Sequence, residues 1–473
     1  MDFDTTEKIN QNIRKSEVAI TAWMGMTVRN LISSQTMDAL NQKYETKIIS
    51  YYSEQLMTMW PDRWSESDLF SWSCPRWRLP KLQGALAYIL YQWNLHAFLK
   101  HYPLFSLQQR LALDKESNPI RYYFDREVGT RVVNLFRGKN KAHDLLRDVV
   151  YLTPLQKRVR SVKALLVAST DLMKDQQLIY TCRRIGTPVV ALVHSFDNLT
   201  SKGLLSTKPD RLLVWNEIMR KEAVEYHGID SAKIDIVGAP QFEKYRKLST
   251  ETSKARLRER LNIPDGARLI TYTGSTIWMF PDEERFVQEL VEATSKGKFG
   301  NSVLILRTHP PDIRKQLYCQ RYSETDLPIR VDVPDSGFTA SNTGAIGTSE
   351  SVLNFVELMQ HSDVVVNLSS TIALDAVLFN TPVICLNFNY LTEESWFCAP
   401  NHHRCEHYRP IVESSAVDFP NNFDELVCSI NSYLDDPEKR TFERRRLADQ
   451  MMPNLPTSSL VVNAIEKAIH EVK

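Results

Sequence analysis

The chain lacks a charge excess of either sign: over 473 residues the formal net charge is +1. That argues against a general nucleic-acid binder, which carries a marked basic excess. Long apolar runs are missing too, and no stretch reaches the ~18 uninterrupted apolar residues of a membrane-spanning helix. The opening MDFDTTEKINQNIRKSE is polar and begins acidic, so neither a secretory signal nor a transit peptide is expected. Cysteine is sparse: seven residues, an odd number, are scattered along the chain, which points to reduced thiols in a cytoplasm-like compartment. Cys398, His402, His403, Cys405 and His407 crowd together, but their spacing matches no common zinc pattern, and no metal is expected. What is present, 43% hydrophobic and 24% charged residues, is the composition of a soluble globular protein, and the length implies two or three domains.

Apolar runs alternate with helical spacing along most of the chain. VAITA, a helical LISSQTMDALNQKY and KIISYY open a parallel α/β unit. From 54 to about 158 the alternation breaks into a tryptophan-rich, largely helical insertion. Its SWSCPRWRLP segment, with Arg76 and Arg78, is expected to border an anionic or lipid-linked acceptor. Strands resume with VKALLVAST, TPVVALVHS, DRLLVW and KIDIVGAP, then with ARLITYTGS, SVLILRTHPP and the run ending in Asn367. The expectation is two doubly wound α/β halves, 1–245 and 246–473, each with a parallel sheet, and a final helix (about 457–471) crossing back to the first half. Ligands of such sheets bind beyond the carboxyl ends of the strands, so the loops after strands carry the candidate residues.

In HSDVVVNLSSTIALDAVLFNTPVICLNF, Ser369, Ser370 and Thr371 sit where a helix begins. They either cap it or help to bind a phosphate, and Asp375, four residues after Thr371, lies on the same face. A nucleoside diphosphate fits, with phosphates at the hydroxyls and the ribose diol on Asp375; a capped surface helix with a solvated Asp fits equally. Thr273, Gly274 and Ser275 form a small-residue turn suited to backbone approach to a phosphate. Arg307, Thr308 and His309 end another strand of the same sheet. In the first half, Gly25, Arg29 and Asn30 follow the first strand, and HSFDNLTSKG (His194, Asp197, Asn198, Lys202) follows a later one. Either His194 or Asp197 can take a proton from an acceptor hydroxyl.

The ordered set HSFDNLTSKG, DRLLVWNEIMRKEAVEYHGI, VGAPQF, LRTHPP and NLSSTIALDAVLFNTPVI resembles the GT-B glycosyltransferase superfamily over roughly residues 18–50 and 160–470. Within it, the chain is most similar to bacterial surface-carbohydrate glycosyltransferases and CDP-glycerol (polyol-phosphate) transferases. The resemblance implies two Rossmann-like domains facing across a cleft, with the donor nucleotide on the second. It implies a donor-ribose contact for Asp375, a donor-phosphate contact for His309 and the base for His194. It implies no bound metal and no cofactor beyond the nucleotide-sugar donor. The implied activity is metal-independent transfer of a sugar (EC 2.4 class) to a cell-surface polysaccharide or glycolipid acceptor, on or near the inner face of the membrane. A CDP-linked polyol-phosphate transferase and a non-catalytic nucleotide-sugar binder are the alternatives. Asn367 and Asp375 stand where retaining members carry two Glu. UDP-N-acetylglucosamine 2-epimerases share the fold but show a glycine pair where this chain has Ser370-Thr371, which disfavours epimerisation.

Overall fold

In the computed structural model the described residues are 15–472, apart from 24, 51–55, 59–68, 72–80, 138–158, 169–172, 206–207, 278, 311, 324, 335, 341–343, 391–395 and 397. Arg76 and Arg78 lie outside them. Two parallel sheets organise the chain. The first has seven strands: β1 (Glu17–Ala22), β2 (Glu45–Ser50), β3 (Leu69–Ser71), β4 (Ala164–Val167), β5 (Val189–Leu192), β6 (Arg211–Val214) and β7 (Ile234–Ile236), in the order β3-β2-β1-β4-β5-β6-β7. The second has β8 (Arg268–Thr273), β9 (Ser302–Arg307), β10 (Ile329–Asp332), β13 (Val364–Asn367) and β14 (Val383–Cys385), in the order β10-β9-β8-β13-β14. A separate antiparallel hairpin joins β11 (Ser336–Ala340) to β12 (Gly344–Gly347).

The apolar runs form strands because both sheet faces are covered. Val364, Val365 and Val366 are fully buried, as are Leu165, Leu166 and Val167, which is the pattern of a parallel strand packed on two sides. Each sheet reverses its strand order once, between β1 and β4 and between β8 and β13. These switch points open crevices at the carboxyl ends of the strands.

The insertion departs from an all-helical reading at one place. Its segment Leu69–Ser71 is an edge strand of the first sheet, paired with β2; the rest of its described residues are helical, chiefly Lys81–His101, Phe105–Ser117 and Pro119–Arg137. Neither β10 nor the hairpin stood out in the sequence, because β10 is short with polar residues at alternate positions and the hairpin strands SGFTA and GAIG are short and rich in small residues.

Residue 245 falls inside the helix Pro240–Leu248, so a boundary there would cut it. This helix holds both halves. Asn30 Nδ2 donates to Gln241 Oε1, and Lys244 Nζ donates to Ser33 Oγ at 2.7 Å. On its other side Tyr245 packs against Phe355 at 5.9 Å between ring centres. We place the division in the turn after Leu248.

The helix Thr457–Glu471 lies on the first sheet. Val461, Ala464, Ile465 and Ala468 are buried against the residues of β1 and β4, the i, i+3, i+4, i+7 stripe of an amphipathic helix. Its start is fixed by Glu243, whose carboxylate accepts from Ser458 N at 3.1 Å, and its end by Arg211 Nη1 to Glu471 at 2.8 Å. Gly238 sits beneath this junction at φ +77°, and a Cβ there would lie 2.8 Å from Thr457 Oγ1. Gly238→Ala should therefore destabilise the fold by about 1–3 kcal/mol through left-handed strain and that clash. A urea melt checks this; an unchanged midpoint would show that the junction yields without penalty.

Candidate functional site

The register of the second sheet sets the site. Asn367 of β13 is paired with Thr273 of β8, Thr273 with Arg307 of β9, and Arg307 with Asp332 of β10. The residues that follow these strand ends therefore emerge side by side: Leu368-Ser369, Gly274-Ser275 and Thr308-His309. Four buried polar atoms there find no hydrogen-bond partner within the protein: Thr308 Oγ1, His309 Nδ1, Ser369 Oγ and Asp375 Oδ1. Buried polar atoms are nearly always paired, so four orphans that share one sheet end make it the candidate place for a polar ligand.

Asp375 is 5% exposed, which rules out a solvated surface carboxylate. Burial pushes its carboxyl up to about 7, and the Arg29 guanidinium partly offsets this. Arg29 comes from the turn after β1, so it reaches the second half from the first. It also helps to hold the half-buried His309 imidazole below its ordinary range, behind the larger effect of burial. Arg29 is anchored by its own Nε donating to Asn30 Oδ1 at 2.9 Å, and Asn30 is tied to Gln241. Arg29, expected on the acceptor side, acts on Asp375 and His309 of the donor-side cluster, and Asn30 links it to the helix Pro240–Leu248. Gly25 lies buried in the turn Gly25–Thr27, which packs against β12.

Other expected contacts are corrected by the geometry. The helix after β13 is only six residues, Ile372–Val377, and Thr371 makes no side-chain cap bond. Ser370 Oγ instead accepts from Ile372 N at 3.0 Å, and the buried Ser369 hydroxyl has no partner within the protein. The turn after β8 does not offer its first amides to a phosphate. Gly274 N donates to Arg307 O at 2.8 Å, and Ser275 N donates to Glu283 Oε1 at 2.6 Å. Thr273 is buried, with its hydroxyl directed at Val366 O at 3.5 Å. Arg307 is committed to the core: its Nη1 meets Asp332 Oδ2 at 2.6 Å, and its guanidinium lies 5.6 Å from the centre of the Phe355 ring.

Three residues missed in the sequence hold these loops in place. Glu283, fully buried, accepts from Tyr272 Oη at 2.8 Å, from Ser275 N and from Tyr318 Oη at 3.1 Å, and lies 3.0 Å from Arg314. Burial raises its carboxyl above the ordinary range against the pull of Arg314. Arg314 in turn donates to Phe280 O at 2.8 Å, to Ser275 O at 2.9 Å and to both oxygens of Asp312 at 3.0 Å. Asp312 N closes the β9 loop on His309 O at 2.9 Å. The signal was a Pro-Pro-Asp-x-Arg run after the strand, but its partner Glu283 lies in a different element.

In the first half, His194 stands half-buried just beyond β5. Asp197 accepts from Ser195 Oγ at 2.5 Å and from Ser201 Oγ at 2.7 Å, and pairs with Lys202 at 3.4 Å. Burial alone would raise its carboxyl, but Lys202, His407 and the two hydroxyls hold it well below the ordinary range. So acidic a group is a poor proton acceptor, and Asp197 organises its loop instead. Asn198 is likewise used, accepting from Ser195 N at 3.0 Å. The histidine-rich segment closes on this loop. His407 Nδ1 is 3.1 Å from Thr200 Oγ1, and Glu406 accepts from Phe105 N at 2.5 Å and Ser106 N at 3.1 Å at the head of the helix Phe105–Ser117. Among the described residues no group of three or more His, Cys, Asp or Glu could hold a metal ion.

No family model and no curated protein matches the chain. Solved structures do. A putative UDP-N-acetylglucosamine 2-epimerase from Listeria monocytogenes aligns over 97% of both chains at 11% identity and TM-score 0.54. The UDP-GlcNAc 2-epimerase from Neisseria meningitidis, bound to UDP-GlcNAc, aligns over 95% of this chain and 100% of its own at 11% identity and TM-score 0.52. S. aureus MnaA with UDP aligns over 96% and 97% at 10% identity and TM-score 0.53. The chain has the GT-B fold: two Rossmann-like sheets facing across a cleft.

The Asp375 carboxyl generates a stability test. Its folded pKa of about 7 lies above the ordinary carboxyl value of 3.8, so between those values the unfolded chain gives up a proton that the folded chain keeps. Stability therefore falls as pH rises through that window and levels above it, by an amount on the order of 2–4 kcal/mol. Asp375→Asn should remove this decline, making the variant increasingly more stable than the parent from pH 4.5 to 7.5. Parallel curves in urea melts across that range would contradict the assignment.

Proposed function

We propose that the chain binds a nucleotide-sugar donor at the carboxyl end of the second sheet and transfers the sugar to an acceptor hydroxyl presented from the first half. The observation that carries this is the gathering of Thr308, His309, Ser369 and Asp375 at one sheet end, each with an unpartnered buried polar atom, with the guanidinium of Arg29 from the opposite half acting on His309 and Asp375. Thr308, His309 and Ser369 supply hydrogen bonds to the diphosphate, and Arg29 supplies positive charge as negative charge develops on it. Asp375 accepts from the ribose diol. The acceptor oxygen attacks the anomeric carbon as the bond to the diphosphate breaks, and its proton passes to the imidazole of His194. The acceptor is a cell-surface glycan or a lipid-linked sugar, and the reaction needs no cofactor besides the donor.

A second reading, a nucleotide-sugar binder without turnover, is favoured by one observation: Asp197 is held too acidic to serve as a base, which leaves His194 alone in that role. Incubation with labelled UDP-, GDP- and CDP-linked donors and candidate acceptors separates the readings. Release of nucleoside diphosphate with sugar transfer supports the transferase. Release of a nucleoside monophosphate indicates polyol-phosphate transfer, an epimerised donor indicates isomerisation, and binding without product indicates the binder.

Asp375→Ala should weaken binding of the nucleotide roughly ten- to a hundred-fold, the loss of one charge-assisted hydrogen bond. The loss should be much smaller for the 2′,3′-dideoxy nucleotide, which lacks the contact already. Calorimetric titration of both proteins with both nucleotides measures this coupling, and equal losses would remove the ribose contact from Asp375.

A further inference from the structure

We propose that His403 and Tyr408, from the histidine-rich stretch, are positioning residues for the loop Leu368–Thr371, and that through His407 the setting of this loop depends on the first-half loop Ser195–Lys202. The role of Leu368–Thr371 as a phosphate contact rests on the proposed donor site; its mooring does not. Ser369, whose buried hydroxyl has no partner within the protein, is held on both sides. On one side Leu368 O lies 3.3 Å from His403 Nε2; a carbonyl can only accept, so Nε2 carries the imidazole proton. On the other side the amide of Ser370 hydrogen-bonds to the buried phenol of Tyr408, whose Oη also lies 3.2 Å from Cys385 Sγ at the end of β14. The two holds act as one, because the His403 and Tyr408 rings stack with 5.4 Å between centres and 22° between planes. Phe419, edge-on at 4.8 Å, and the Asn387 side-chain amide, 3.1 Å from Nδ1, fix the imidazole from its remaining sides.

His407, the residue before Tyr408, faces the first half. Its Nδ1 lies 3.1 Å from Thr200 Oγ1, and its ring meets Phe196 edge-on at 4.9 Å. The same Phe196 ring lies 6.3 Å from the Tyr408 ring, so it touches both. Phe196 and Thr200 belong to the loop that follows His194, the proposed base. His407 and Tyr408 share the tight 3₁₀ turn Glu406–Tyr408, in which one side chain cannot shift far without carrying its neighbour. Adjacent side chains therefore hold the loop on the acceptor side and the loop that carries Ser369. A displacement of the first reaches the second through packed rings and hydrogen bonds, and a hydroxyl moved by a fraction of an ångström loses much of its bond to a ligand. The histidines of this stretch thus act by position, as donors and packing surfaces.

Hydrogen exchange of the ligand-free full chain, with calorimetric titration by UDP, GDP and CDP, tests this. Thr200→Val keeps the side chain's shape but removes its hydroxyl from His407, and should speed exchange at 368–375 roughly threefold or more, although it lies in the other half. The helix Glu283–Ser295 should exchange as in the parent. His403→Ala should loosen 368–375 further, and His403→Gln, whose amide can still donate to Leu368 O, should restore most of the protection. For the nucleoside diphosphate that the parent binds tightest, His403→Ala and Tyr408→Phe should weaken affinity roughly three- to tenfold. The matching nucleoside, with no phosphate to meet Ser369, should bind all variants equally. The near-isosteric Thr200→Val and Tyr408→Phe keep the test open should His403→Ala fail to fold. Unchanged exchange at 368–375 in Thr200→Val overturns the proposal, as do equal losses for diphosphate and nucleoside. Diphosphate binding that none of the folded variants alters overturns it too, and leaves the donor site standing. A parent that binds no nucleoside diphosphate, while exchange responds as expected, refutes the donor site and supports the mooring.

Discussion

The Arg314–Glu283 pair, sealed beneath the carboxyl end of the second sheet, is the interaction on which the proposed site depends. A buried ion pair recovers its desolvation cost only when its remaining donors and acceptors are satisfied, and here they are. Glu283 gathers two tyrosine hydroxyls, one amide and the guanidinium; Arg314 gathers two carbonyls and Asp312. The pair therefore does two things with the same atoms. It stitches the loop after β8 to the loop after β9, and it consumes the polar groups that would otherwise compete for a ligand. Thr308, His309, Ser369 and Asp375 keep a buried polar atom without a partner in the protein, and these are the groups the proposed function uses.

The two halves contribute unequally. The second supplies a row of strand ends in register, whereas the first supplies one guanidinium. Arg29 can face Asp375 only because Asn30 and Ser33 are bonded to the helix Pro240–Leu248, which also packs on Phe355 of the second half. A second link runs through Glu406, whose carboxylate accepts the first amides of the helix Phe105–Ser117 and so compensates the positive end of that helix. The halves are thus joined on two sides, by a helix that spans them and by a carboxylate cap.

The two-sheet fold was legible because its strands are short, apolar and buried on both faces, so composition alone separates them from the helices between. The strand-end rule pointed to the loops after β8, β9 and β13, which the strand register brings side by side. Asp375 was found by spacing from the hydroxyls, yet its burial was not, since nothing local reveals that Arg29 and Tyr245 close over it. The errors share one cause. Arg307 and Ser275 were read as donor contacts and Asp197 as a candidate base because of their place at or just after strand ends, but Asp332, Glu283 and Lys202 with two serine hydroxyls engage them. Partners contributed by another element, as Asp332 and Glu283 are, leave no mark in the motif itself. Gly274 shows the same limit for the backbone, because its amide serves β9 rather than a phosphate.

The central claim is that the nucleotide sits among the strand ends of the second sheet with Arg29 closing over it. Hydrogen–deuterium exchange with and without a saturating nucleoside diphosphate tests this most directly. The account predicts protection in three separate segments, 25–30, 308–312 and 368–375, with little change along the helix Thr457–Glu471. Protection confined to the first half, or spread evenly over both sheets without those segments, would contradict it.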